Sequence, residues 1–385
     1  MNVPSAAVVE LLDRLVAFDT TSHRSNLEAI AFIEERLREL GAACRLTYDD
    51  ARGKANLYAT LGPADRLGIM LSGHTDVVPV AGQLWSTDPF RLIEKDGKLY
   101  GRGAADMKGF IALCLAVAAD FPADRASQPL HFAFSYDEEL GCIGVRRLIA
   151  DLAERSVRPR LCVVGEPTGM KVIAGHKGKR DVSCRVHGKE CHSALAQGVN
   201  AVEAAAEVIA HLSAMQRRIR RDGPFDPAFD PPYTTLHTGI VEGGRALNIV
   251  PRDCRFEFEI RALPSHDADA LYEEIRSFAR DHVEPAMKAT DAAAGFAFEV
   301  ISDTKGFDLA DDHPAVGLVS GLTGDNRVGR VSFGTEAGLF NQAGVPTVVC
   351  GPGHIDQAHK PDEFISLDQL AQGEVFVRRL VEQLT

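Results

Sequence analysis

Over roughly its first 170 residues the chain alternates helical and strand periods, and few folds accept that alternation. Ser5 is placed to cap a helix in which Val8, Val9, Leu11, Leu12, Leu15 and Val16 recur at helical spacing. Ser25 and Glu28 form a capping-box pattern ahead of a second helix that should stop at Gly41. Strand patterns follow at 55–61, 67–72, 130–136 and 160–164, with a helix after Asp106 running through Ile111, Leu113, Leu115 and Val117. Such a series implies an α/β layer around a mainly parallel sheet.

The pattern changes near Lys179. A strand at 181–187 precedes a long helix at 200–221 that sets Val202, Ala205, Val208, Ile209 and Leu212 on one face. The Pro- and Asp-rich stretch 222–232 reads as an exposed loop. Strands at 234–241 and 252–262 follow, the second alternating through Cys254, Phe256, Phe258 and Ile260. A helix at 267–286 and a strand at 296–301 complete a strand-helix-strand-strand-helix-strand series, the ferredoxin-like order. The helix from His313, a strand at 347–350 and a helix from Leu367 then return to the first pattern. A chain of 385 residues is too long for one compact core. The expected division is 1–178 and 304–385 for one domain and 179–303 for an inserted α+β domain.

Charge narrows the partners. The formal net charge is -12 and there is no long basic run, which disfavours nucleic acid and anionic membranes. Residues 1–5 show neither a basic segment nor an apolar core, so no secretory signal is read, and no apolar run is long enough to span a bilayer. The eight cysteines are scattered without a CxxC pair, and Cys114 lies inside an apolar run; reduced thiols in a cytoplasmic protein are expected.

The chemistry gathers at strand ends. His74, Glu139 and Glu166 each follow a strand pattern closely, and open α/β sheets bind ligands beyond the carboxyl ends of their strands. Asp76, two residues after His74, is spaced to orient a metal-bound imidazole. Asp106 opens a helix and is the candidate to bridge two cations with its two oxygens. Glu138 and Glu139 diverge at one turn, so one can bind metal while the other serves as a base beside a metal-bound water. His359 lies before Pro361-Asp362-Glu363, with His354 a rival in the same loop. In the insert, His192 could donate a hydrogen bond to a tetrahedral oxyanion, and Arg261 at a strand end could pair with a substrate carboxylate. No single stretch carries this reading; together they supply ligands for two zinc-like ions and a spare carboxylate.

In combination these stretches resemble a known family. SGHTDVVP at 72–79, DGKLYGRGAADMKG at 96–109, YDEELGCIG at 136–144, GEPT at 165–168, GGRALNIVP at 243–251 and GPGHIDQAHKPDE at 351–363 are similar to those of the M20 dinuclear-zinc metallopeptidases, which include aminoacylases and acetylornithine deacetylases. The resemblance implies a zinc-peptidase-like catalytic domain with a ferredoxin-like lid that mediates a homodimer. It implies two zinc ions, with cobalt a possible substitute: His74 and Glu166 hold one, Glu139 and His359 the other, and Asp106 bridges them. It implies Glu138 as general base, Asp76 as the support of His74, and His192 reaching the partner's active site. Lys177, Asn248, Arg261 and Thr335 match positions near the substrate, a small N-acyl amino acid. The stretches 18–22, 25–27 and 333–337 look most like the deacetylase branch. Succinyl-diaminopimelate desuccinylase, or another N-acyl amino acid deacylase, is the alternative. The run Cys191-His192-Ser193-Ala194 departs from the commoner Ala-His-Ser-Ser type.

Overall fold

The computed structural model describes residues 3–154 and 159–385, so Met1 and Asn2 of the N-terminal reading lie outside the described residues. It contains two compact units. One comprises 1–175, 307–329 and 335–385, and the other 176–306 and 330–334.

The first unit is built on a mixed sheet whose middle is parallel. Leu130–Ser135, Ile69–His74, Leu161–Val164 and Thr347–Val349 run side by side in that order, each parallel to its neighbour. Ala55–Leu61 flanks Leu130–Ser135 antiparallel, and Ala43–Tyr48 adds an antiparallel edge beyond it. The strands Ala55–Leu61, Ile69–His74 and Leu130–Ser135 are buried along their whole length. With both faces covered, polar residues such as Asn56, Thr60, Ser72 and His131 are buried in them along with the apolar ones.

The helix Lys108–Ala119 is buried on nearly every side, from Lys108 to Ala118. It contacts the helices Ala6–Val16 and Leu367–Glu382 as well as the strand Ile69–His74, and its sequence is apolar all round for that reason. Its Phe110 ring lies where a side chain at residue 165 would project, so Gly165 is needed for the strand end to approach the helix.

Capping differs from the expected pattern at two helices. The helix Leu27–Glu39 starts one residue later than the capping box implies. Ser25 Oγ accepts from Leu27 N at 3.2 Å, while the side chain of Asn26 turns inward to the strand at Ala55. Ser5 stands at the N-cap of Ala6–Val16 without a side-chain capping bond, and its backbone N–H donates to Glu374 at 2.7 Å.

The second unit has the ferredoxin-like arrangement. Its sheet runs in the order Thr235–Gly243, Asp253–Ala262, Gly178–His187 and Gly295–Thr304, all antiparallel. Asp253–Ala262 alternates exposed or half-buried residues with buried ones, placing Cys254, Phe256, Phe258 and Ile260 in one core with Val208, Leu212 and Met215. Asn200 and Asp267 cap the two helices, each accepting two backbone N–H bonds. The stretch expected as one helix at 267–286 is broken. Ala268–Phe278 passes through a π turn at Ala279–Val283 into Glu284–Thr290, where Pro285 lacks the N–H a continuous helix would use. Among the described residues no helix is long and apolar enough to cross a membrane.

Candidate metal centre

Three neighbouring strand ends deliver the site. His74 closes Ile69–His74 opposite Ser135, and the next strand over ends at Val164, two residues before Glu166. Thr75 locks this corner: its N–H and hydroxyl both donate to Ser135 O, at 2.9 and 2.7 Å. Asn26, 2% exposed, donates to Thr75 Oγ1 at 2.9 Å and to Ala55 O at 2.9 Å.

Asp76 meets His74 through its main chain and the acidic turn through its side chain. His74 Nδ1 is 2.9 Å from the main-chain oxygen of Asp76 and 3.7 Å from its carboxylate. The carboxylate instead accepts the backbone N–H groups of Glu138 at 3.1 Å and Glu139 at 3.3 Å, and the Ser22 hydroxyl at 2.8 Å. Hydrogen bonds to a charged acceptor contribute about 1.5–3 kcal/mol each, so this buried group organises the acidic turn. Asp137, at a φ of 53°, begins that turn in the left-handed region that Asp tolerates. Lys54 Nζ donates to its carboxylate at 2.5 Å.

The Nε2 atom of each imidazole faces two carboxylate groups. His74 Nε2 is 3.0 Å from Asp106 Oδ1 and 3.7 Å from Glu166 Oε1. His359 Nε2 is 3.4 Å from Asp106 Oδ2 and 3.0 Å from Glu139 Oε2. Two donors on one tetrahedral ion with bonds near 2 Å stand roughly 3.3 Å apart, so the observed spacings fit two ions sharing Asp106. Nitrogen and oxygen donors also close to within 4.8 Å in two overlapping groups, His74-Asp106-Glu139 and His74-Glu138-Glu166. With Nδ1–H of His74 directed at a carbonyl, Nε2 is the ring atom left to bind metal. His354, by contrast, packs against Gly169.

The charges also call for cations. Asp106, Glu138, Glu139 and Glu166 converge with, among the described residues, the two imidazoles of His74 and His359. Burial pushes Glu138 up to about 8, with Glu139 adding to the effect and His74 opposing it. Burial likewise raises Glu139, and it carries Glu166 well above the carboxylate range. For Asp106, burial pushes upward, but hydrogen bonds with His359 and His74 outweigh it and hold the group low. His359 rises to about 10 through its bonds to Asp106 and Glu139. Burial opposes protonation of His74, yet the hydrogen bond to Asp106 and the charge of Glu166 hold it well above its ordinary value. Groups this strongly perturbed in one cluster mark a functional site, and divalent ions are the partners that relieve them.

The remaining candidates are less gathered. Thr335 is fully buried in the first unit and accepts from Ala337 N at 3.1 Å, at the start of the short helix Ala337–Gln342. The second unit brings two candidates close: the His192 loop pairs with Ile249, and Ser193 N donates to Asn248 O at 3.0 Å. Lys177 directs Nζ to the carbonyls of Pro231 and Tyr233, both at 2.7 Å, and burial lowers it to about 8. Arg261 makes a two-pronged bond to Glu259 at 2.9 and 3.0 Å, the geometry a substrate carboxylate would use.

Reasoning from sequence assigned no structural role to Asn26, Ser135 or Glu336, although Asn26 and Glu336 lie in stretches that look like the deacetylase branch. Glu336 is 1% exposed; Oε1 accepts from Ser135 Oγ at 2.5 Å and, among the described residues, Oε2 has no hydrogen-bond partner. Besides its place in the stretch 333–337, its sequence signal is an acid immediately before an apolar helix, which by itself marks only a helix start.

The family model described as peptidase family M20/M25/M40 matches residues 70–383. An acetylornithine deacetylase of Proteus mirabilis (strain HI4320) is 35% identical over 393 residues, covering 99% of this chain and 98% of that protein. Among solved structures, aminopeptidase PepT from Bacillus cereus ATCC 10987 superposes with a TM-score of 0.76 at 21% identity, covering 99% of each chain. The Bacillus subtilis YxeP protein, described as a dinuclear metal binding peptidase from the M20 family, gives a TM-score of 0.69 at 14% identity, covering 98% of this chain and 97% of that one. At these identities the structures speak to the fold alone.

Proposed function

We propose that this chain, which belongs to peptidase family M20/M25/M40, removes the acetyl group from N2-acetyl-L-ornithine, giving L-ornithine and acetate in arginine biosynthesis. The observation that carries the reading is the 35% identity, over 99% of the chain, to an acetylornithine deacetylase. In this reading the first unit is the catalytic domain, and residues 179–303 form a lid that also joins two copies into a cytoplasmic homodimer.

The ion pair is zinc, replaceable by cobalt, because imidazole and carboxylate donors suit either. His74 and Glu166 hold one ion, Glu139 and His359 the other, and Asp106 both. When bound, the ions polarise the acyl carbonyl and make water acidic enough to react near neutral pH. Glu138 then takes the proton of the attacking water on its carboxylate as the C–O bond forms. It returns that proton to the amine nitrogen as the C–N bond breaks. Asp76 fixes the Glu138 backbone for this task through its hydrogen bond to the N–H. His192 donates to the oxyanion. Arg261, Asn248, Lys177 and Thr335 bind substrate, with Arg261 exchanging Glu259 for a substrate carboxylate.

The test is kcat/KM on N-acetylornithine and N-succinyl-diaminopimelate in parallel. A preference of roughly a hundredfold for N-acetylornithine, about 2.7 kcal/mol at the transition state, is expected. The reverse preference would assign the desuccinylase instead.

A further inference from the structure

His359 and Asp106 are more than 250 residues apart in sequence, yet both must be placed to within a fraction of an ångström to share an ion. A small antiparallel sheet first brings their segments together. Phe364–Ser366 pairs with Lys98–Tyr100, and Gly101 N donates to Glu363 O at 2.9 Å. The side chain of Glu363 then does something that strand pairing does not require. Its Oε1 accepts the backbone N–H groups of Ala105 at 2.9 Å and Asp106 at 3.1 Å. Its Oε2 accepts Gly103 N at 3.0 Å and Arg102 Nη1 at 2.8 Å. Both members of the Arg102–Glu363 pair are 1% exposed.

The other side of this knot reaches the imidazole loop. Arg102 Nη2 donates to Gln83 Oε1 at 2.5 Å, and Gln83 Nε2 donates to the main-chain oxygen of His359 at 2.8 Å. Arg102 Nη1 also lies 3.3 Å from Lys360 O, and its guanidinium sits 5.0 Å from the centre of the Trp85 ring. Four donors thus converge on one carboxylate, three of them from the turn that presents Asp106. A carboxylate is the side chain that can accept all four, because an amide would set an NH2 against one pair of N–H donors.

We propose that Glu363 is a positioning residue that locks the Asp106 turn to the His359 loop, so that both ligands of the shared ion are set by one buried carboxylate. The proposal rests on the reading that Asp106 and His359 bind metal. Glu363 touches neither substrate nor ion; it acts through the backbone of residues 103–106 and through Arg102. Groups that position metal ligands from behind typically govern affinity or activity by about 10–100-fold.

The test is titration of metal-free protein with Co2+, read by calorimetry and by the cobalt absorption spectrum, for wild type, Glu363→Gln and Glu363→Asp. Circular dichroism of each metal-free protein is recorded in parallel. Glu363→Gln leaves Arg102 buried without its charge partner and can fail to fold. Glu363→Asp keeps the charge but shortens the reach by one methylene, so it decides the matter in that event. Wild type is expected to bind two ions, and both folded variants to bind one of them at least tenfold more weakly with an altered cobalt spectrum. A folded Glu363→Asp protein with wild-type affinities and spectrum would overturn the proposal. A wild-type protein that binds no cobalt would overturn the metal reading beneath it.

Discussion

At the scale of single residues the acidic turn divides its labour by what holds each carboxylate. Glu139 is tied to His359 at 3.0 Å, whereas Glu138 takes a weak bond from the Cys142 thiol at 3.4 Å. A carboxylate left this loosely held is suited to move protons. Glu138→Gln should therefore retain both ions, measured by elemental analysis, while kcat falls by about 10²–10⁴-fold. Turnover at the wild-type rate would remove Glu138 from its role. Glu336 lends itself to a pH test. Burial raises it from 4.5 to about 7, with Ser135 and His74 opposing and Asp76 adding. A group raised in the fold contributes stability that is complete below its unfolded value and is lost as pH climbs through its folded value. Metal-free wild type should thus lose up to about 3 kcal/mol relative to Glu336→Gln between pH 4.5 and 7. Parallel stability curves for the two proteins across that window would contradict the burial argument.

At the scale of elements, the helix Lys108–Ala119 and the strand ends form one device. Phe110, 1% exposed, packs where Gly165 permits it, one residue before Glu166. Phe110→Ala should cost about 3–5 kcal/mol in urea unfolding and should weaken metal binding together with stability. Normal metal affinity in a destabilised variant would show the two to be separable. The same elements show what a single sequence reveals. The helix Lys108–Ala119 was legible from a nearly unbroken apolar run that reflects burial on all sides, and the buried strands at 55–61 and 130–135 because apolar residues dominate them despite Asn56, Thr60 and His131. Ala43–Tyr48 was not, since it is an edge strand, half-exposed along its length and carrying Arg45 and Thr47. Val145–Ala153 was also missed; it is a nine-residue helix in which Val145, Leu148 and Leu152 are the buried residues, too short a stripe to stand out. The break at Ala279–Val283 was signalled by Pro285, within a stretch whose apolar spacing otherwise looks continuous.

At the scale of the whole molecule, the candidate site was legible where chemistry sits beside a strand end. It was illegible where it depends on contacts across hundreds of residues. His74, Glu139 and Glu166 fall into the first class, and Asp106 was legible from the helix it precedes. The grip of Asp76 on the acidic turn spans about sixty residues, and that of Glu363 on the Asp106 turn more than 250, and neither has a local signature. The second unit was readable as a ferredoxin-like fold from the order of its elements, whereas the commitments of Lys177 and Arg261 to partners inside that unit were not. The proposed homodimer should sediment at about twice the 41.6 kDa chain mass, and a monomer at micromolar concentration would contradict it. The most direct test of the central claim is hydrolysis of N-acetylornithine by chelator-treated protein during stepwise addition of Zn2+. Activity should be absent at the start and should rise until two equivalents are bound. Full activity in the presence of chelator, or two bound ions without hydrolysis of any N-acyl amino acid, would contradict the account.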